Sequence, residues 1–318
     1  MNGRYPYLKS VGRWSFALVP LLGLVEIGAH FIEIHRRVPE ADWVAARLFV
    51  TSRSTPEDLV AFAPTWADPL GRMYFGPAVA TVAREGRPDE ARFPRAYEVS
   101  LRGAHLPALA DWTREDVSRF GGVTVTTLRN PAPVSILEDL VSLVGAGSPR
   151  IRVSRVDGNR ESECSYGHGS VQSGGLGYGP AIPGNRFSCP GGGFVGVSVV
   201  ADLDYVARQC IFAPPSGGGV LRLRFSEVAF GDMLRGHHTL YVEAERGKTG
   251  APVSLAFKTD STPLGTVFHR DGDGWKPFGF DTGQLKGQRA DLIVDISSSG
   301  DRRTYCFEAI TEGKASAP

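Results

Sequence analysis

The chain has no surplus of charge of either sign. Its 35 basic and 34 acidic residues leave a formal net charge of +1. That balance excludes the clustered basic face that nucleic acid requires and leaves no long charged arm. Uninterrupted apolar sequence is also short near the N-terminus: Ser15 to Val25 falls below the roughly 20 residues that a bilayer core demands. Cysteine is scarce, at four in 318 residues, and none sits in a C-x-x-C pair, so zinc and thioredoxin-like chemistry find no support.

What is present is ordinary globular material, 42% hydrophobic and 22% charged. The length fits about two domains at roughly 100–200 residues each. Glycine is abundant, at 39 residues, and much of it follows Gly167, so the two halves are expected to differ in architecture.

Residues 14–34, WSFALVPLLGLVEIGAHFIEI, reach spanning length only by including Glu26, His30 and Glu33. Three readings stay open: an uncleaved signal-anchor following a cytoplasmic stretch 1–13, a cleaved signal peptide, or a buried helix. The anchor is preferred, which places the protein in a bacterial inner membrane with its domains outside the cytoplasm. The spacing of Glu26, His30 and Glu33 puts them on one helix face. Ionisable groups at membrane depth face protein or water, so the three form a candidate docking face for a membrane partner.

Residues 40–145 are expected to form a small α/β domain. Helices are read at 41–50, 70–83 (with a kink at Gly76-Pro77), 105–112 and 134–144, and strands at 59–63, 96–101 and 122–128. That order implies a parallel sheet with helices on its faces. Ligands in such sheets bind beyond the strand ends, which nominates Trp66 and Asp68. The plainer reading is preferred: Asp68-Pro69 is a common helix entry, and Trp66 caps the core. Within 42–128, Trp43-Val44-Ala45-Ala46 followed by Asp58-Leu59-Val60-Ala61 resembles the soluble extracytoplasmic tail of polytopic glycosyltransferases of the mannosyltransferase type. The resemblance implies an association with envelope glycan or lipid-linked sugar metabolism. It carries over no catalytic residue, because that family keeps its acids between many membrane helices.

Gly145 to Pro149 reads as a boundary, followed by a second domain at 149–312 and a tail at 313–318. A glycine-rich loop occupies 165–193. Its fragment Gly174-Gly175-Leu176-Gly177-Tyr178-Gly179 has no strand before it, no helix after it and no Gly-Lys-Ser/Thr, so it is not a phosphate loop. From Phe194 the apolar period is two, with turn signals between runs, which predicts an all-β sandwich. Strands are expected at 150–156, 194–201, 209–212, 220–225, 239–245, 252–258, 265–270, 276–280, 291–296 and 304–309.

All four cysteines, Cys164, Cys189, Cys210 and Cys306, lie in this half, which suits two disulfides in an oxidising compartment. Of three connectivities, Cys164–Cys189 with Cys210–Cys306 is preferred: the first staples the glycine-rich loop, the second ties an early strand to the last. The whole of 194–312 resembles galactose-binding-like jelly rolls, which implies sugar binding or an interaction module. Tyr241, His269 and Trp275 are the candidate sugar-stacking rings. Asp271 and Asp273 share a turn and offer oxygen ligands for a structural calcium, although a plain hairpin turn explains them as well. His237 and His238 are consecutive, so on a strand they point to opposite faces.

Three functional readings follow. The first is a membrane-anchored binding or accessory protein that meets an envelope glycan or a polytopic membrane glycosyltransferase. The second is a hydrolase or transferase using Asp68, Glu98, His105 and His168 at the domain interface. The third is a structural envelope protein without a small ligand.

Overall fold

The computed structural model describes residues 18–31, 38–75, 90–147, 149–174, 179–215, 217–301 and 303–314. The chain is mostly β. Residues 18–31 are helical and expose Leu18, Val19, Leu21, Leu22, Leu24, Val25, Ile27 and Phe31. Among the described residues no helix is long and apolar enough to cross a membrane. Glu33, the Gly76-Pro77 kink and most of the 174–179 glycine fragment lie outside the described residues.

The N-terminal unit is one four-stranded sheet under two helices. Helix α1 (Glu40–Thr51) buries Trp43, Ala46 and Val50, the stripe expected from helical spacing. Helix α2 (Asp68–Phe75) packs beside it, with Trp43 stacked on Tyr74 at 5.3 Å. The sheet runs β1 (Leu59–Ala63), β2 (Arg95–Leu101), β4 (Val123–Arg129), β3 (Thr113–Phe120) in space.

Only β1 and β2 are parallel; β2–β4 and β3–β4 are antiparallel. This corrects the expectation of a parallel sheet. The missed element is β3, whose sequence TREDVSRF is largely exposed and so carries no apolar alternation. The helix expected at 105–112 is a single 3-10 turn at Pro107–Leu109. The β3–β4 hairpin turns at Gly121, whose φ is 55°. Asp42 of α1 accepts the Gly122 N–H at 2.8 Å, and a Cβ at Gly121 would lie 2.2 Å from that carboxylate. At the far end, buried Asp58 takes a two-pronged bond from Arg95 at 3.0 and 2.7 Å. Burial pushes this carboxyl up, but the Arg95 and Thr55 donors outweigh it and hold it below its ordinary value.

The second unit is a sandwich of two sheets. The six-stranded sheet orders β15 (Pro263–His269), β14 (Val253–Thr259), β17 (Arg289–Ser298), β12 (Val220–Ala229), β6 (Ile151–Asp157), β7 (Arg160–Glu163). The eight-stranded sheet orders β16 (Lys276–Asp281), β13 (Met233–Leu240), β18 (Tyr305–Lys314), β11 (Ala207–Phe212), β10 (Phe194–Ala201), β9 (Asn185–Ser188), β8 (Ser165–His168). Its remaining strand, β5 (Val134–Asp139), also pairs with β18. Leu223, Phe225, Leu255 and Val294 from one sheet meet Val195, Ile211, Leu234 and Phe307 from the other in one core.

Two further corrections follow. Residues 134–144 do not form one helix closing the first unit. The first part is β5, in the sandwich, and only α3 (Leu140–Gly145) is helical, capped by Asp139, which accepts from the Val141 and Ser142 N–H groups. Residues 239–245 are not a strand either: β13 ends at Leu240, and α4 (Val242–Gly247) follows.

The disulfides are Cys164–Cys189, with Cα atoms 4.2 Å apart, and Cys210–Cys306, at 5.8 Å. They suit an oxidising, extracytoplasmic environment. The loops they close differ in length, with separations of 25 and 96 residues. By chain entropy, replacing Cys210 and Cys306 with alanine should cost about 5 kcal/mol, and replacing Cys164 and Cys189 about 3–4 kcal/mol. Urea unfolding of the two double variants checks the order; a reversed order would mean that native packing, not loop closure, sets the cost.

Candidate functional site

The residues singled out in the N-terminal unit do not converge. Trp66 is 63% exposed. Asp68 pairs with Arg72 one helical turn on, at 2.8 Å. Glu98 is buried, bonds His105 Nδ1 at 2.7 Å, and accepts the Leu106 N–H at 2.7 Å. His168 lies in the sandwich, beside Asn185 at 2.9 Å. Of the four groups proposed for hydrolysis, only Glu98 and His105 meet, and that pair fastens the chain after β2.

Those singled out in the sandwich gather at one end of it, around a buried carboxylate. Glu245 of α4 is fully buried. It accepts from His269 Nε2 at 2.6 Å, the Leu240 N–H at 3.2 Å and the Gly272 N–H at 2.6 Å. Each donor offsets part of the cost of burying the charge. Tyr241 and His269 are therefore interior, which removes them as surface stacking rings. Trp275 is half-buried: His237 stacks on it at 5.4 Å and the Arg208 guanidinium lies 5.2 Å from its ring. Asp271 pairs with Arg303 and accepts the Gly250 N–H. Asp273 accepts from the Arg270 N–H and Lys276. Among the described residues no group of three or more His, Cys, Asp or Glu gathers as a metal site.

His237 and His238 do face opposite ways. His237 bonds Glu308 at 2.8 Å on the outer face; His238 is fully buried and bonds the Tyr305 hydroxyl at 2.8 Å. Burial, with His269 and Lys276 nearby, pushes His238 down to about 3. Burial drives Tyr305 well above its ordinary value, so both stay neutral.

A concave feature lies elsewhere, where the chain changes sheets. Strand β7 ends the six-stranded sheet at Glu163, and β8 begins the edge of the eight-stranded sheet at Ser165. Between them Cys164 is buried, donates its N–H to the Val153 carbonyl at 2.8 Å, and is bonded to Cys189. That corner encloses a cleft of about 370 Å³ lined by Gly147, Pro149, Ile151, Arg152, Glu163, Cys164, Ser165, Tyr166 and Phe187. Tyr166 is 40% exposed and rests on Phe187 at 4.9 Å, its cross-strand partner. Gly147, with φ 56°, lets the ring lie close: a Cβ there would sit 2.0 Å from Tyr166 Cζ. Arg152 and Glu163 are exposed at the rim and form no ion pair among the described residues. Sequence reading missed this site because β7, β8 and β9 are short and polar. The available signal was the aromatic two places after a cysteine.

No protein-family profile matches the chain, and no curated protein matches it. Among solved structures it is similar to the CBM51 of Clostridium perfringens GH95 in complex with methyl-galactose. That match has 12% identity over 46% of this chain and 92% of that chain, with a TM-score of 0.27. It is also similar to the CBM22-1 xylan-binding domain of Paenibacillus barcinonensis Xyn10C, with 15% identity over 48% and 100% of the two chains and a TM-score of 0.27. A third is the CBM51-2 and INT domains of Clostridium perfringens ZmpB, with 11% identity over 62% and 45% and a TM-score of 0.29.

The buried histidine makes a prediction. His238 titrates near 6.5 when unfolded and at about 3 when folded. Between those values the unfolded chain binds the extra proton, so stability falls as pH drops below 6.5, by up to about 1.4 kcal/mol per pH unit. His238→Asn keeps an acceptor near Tyr305 but cannot titrate. Between about pH 6.5 and about pH 5 the slope of its unfolding free energy should be smaller than that of the unmodified protein by up to about 1.4 kcal/mol per pH unit. A slope equal to that of the unmodified protein would remove His238 as the source.

Proposed function

We propose that the protein is an extracytoplasmic saccharide-binding accessory protein, and that the cleft at Tyr166 holds the sugar. The observation that carries this reading is the cleft itself. It is an aromatic-walled concavity within the usual 300–1,000 Å³ range of ligand sites. It is rimmed by polar groups on strands and clamped by a disulfide. A sugar ring offers an apolar face that suits Tyr166 and hydroxyls that suit Arg152, Glu163 and Ser165. Rigid strand supports lower the ordering cost of binding.

The exposed apolar residues of the 18–31 helix support attachment to a membrane, since an apolar surface of that size is normally covered. Glu26 and His30, one turn apart and both exposed, are the polar points at which a membrane partner such as a polytopic glycosyltransferase would dock.

Two outcomes follow. Tyr166→Ala should weaken binding of a neutral galacto-oligosaccharide by about tenfold or more, and Gly147→Ala should weaken it too by displacing the ring. Unchanged affinity in both, by calorimetry, would discard the cleft. In cell fractionation the intact chain should sediment with membranes. Replacing Leu21, Leu22, Leu24 and Val25 with serine should release it, and recovery of the unmodified chain in the soluble fraction would discard the attachment.

A further inference from the structure

Three segments meet at the Glu245 end of the sandwich: the turn 202–206 between β10 and β11, helix α4, and the turn 270–275 between β15 and β16. Glu245 bonds Gly272 at 2.6 Å. Arg208, bonded to Asp202 at 2.7 Å, reaches over Trp275. A Cβ at Gly274 would touch Leu203 at 3.5 Å. Arg246 lies over the Tyr205 ring at 4.5 Å.

The charges of this surface divide into buried pairs and exposed groups. The carboxylates of Asp202, Glu245 and Asp271 are buried against Arg208, His269 and Arg303. Arg246, Lys248 and Arg270 are exposed and form no ion pair among the described residues. Three acids are exposed on the same segments: Asp204, Glu243 and Asp273, the last paired with Lys276. Tyr205 is 46% exposed and has a φ of 61°; Lys248 has 52°. These are two of the four non-glycine residues with positive φ among those described. A bulky side chain held in that region is costly and concentrates at functional sites.

We propose that this surface is a second ligand site, and that it takes a carboxylate-bearing saccharide, a hexuronate. The proposal rests on the saccharide-binding reading of the protein but places the acidic sugar away from the Tyr166 cleft. A guanidinium held over an aromatic ring without an ion-pair partner still has N–H groups to offer, in the fork geometry that matches a carboxylate. Contact with the Tyr205 ring at 4.5 Å restricts the Arg246 side chain in advance, so less of its freedom is lost on binding. The exposed part of Tyr205 offers the sugar an apolar contact beside the fork. Lys248 and Arg270 add attraction that salt weakens.

The test is calorimetric titration of the full chain with trigalacturonate and with galactotriose, at low and at physiological salt. Trigalacturonate should bind more weakly at the higher salt. Arg246→Gln and Tyr205→Gly should each weaken it by about tenfold or more, while Tyr166→Ala leaves it intact. Tyr205→Gly relieves the positive φ, so its unfolding temperature should not fall; a marked fall together with unchanged affinity would make Tyr205 a packing residue and overturn the site. Trigalacturonate binding that is absent, or indifferent to Arg246→Gln, also overturns it and leaves the cleft standing if galactotriose still binds. Galactotriose binding that is absent while the Arg246-dependent titration persists removes the cleft instead. Silence from both sugars removes both.

Discussion

Strand β18 has two edges and three partners. Along one edge it pairs with β13 over its length. Along the other it pairs first with β11 at Cys306 and Phe307, then with β5 from Ile310 onward. Its side chains repeat the pattern: Cys306 is bonded to Cys210, Tyr305 to His238, Glu308 to His237, and Glu312 to Arg235. The sandwich therefore closes through the last strand of the chain, and a segment from before residue 140 joins the same sheet. Gly236 shows how tightly the central pair packs, since a Cβ there would lie 1.9 Å from the Glu308 carbonyl.

This arrangement separates two kinds of surface. The long central strands make a fixed interior that is mostly Val, Leu, Ile and Phe. At the ends and corners the chain turns, and polar groups are spent on holding the turns: Asp202 on its own loop, Glu245 on Gly272, Asp271 on Arg303. The corner at Cys164 differs because a covalent bond fixes it, which frees nearby polar side chains for other use. A cleft at such a corner can stay open without a hydrogen-bond network filling it.

Both proposed sites thus rest on the same principle. Rigid framework elements carry a few side chains whose hydrogen-bonding capacity is not consumed internally, next to an aromatic ring that is partly covered and partly free. In the cleft the support is the disulfide and Gly147; at the Glu245 end it is a buried carboxylate beneath exposed cations.

Apolar periodicity was enough for most long strands of the sandwich and for the buried stripe of α1, because a half-buried strand or helix must repeat its apolar residues at its own period. The four cysteines, all in one half, pointed to two disulfides and an oxidising compartment. Short polar strands left no such trace: β3, β7, β8 and β9 are defined by their partners, and residues 134–139 are a strand only because β18 offers an edge. The direction of pairing in the N-terminal sheet followed from β3, which local sequence did not reveal. The cleft and the buried charge pairs at the Glu245 end were likewise decided by tertiary structure. A cavity is made by surfaces remote in sequence, and whether a carboxylate faces inward depends on which cation the fold sets beside it.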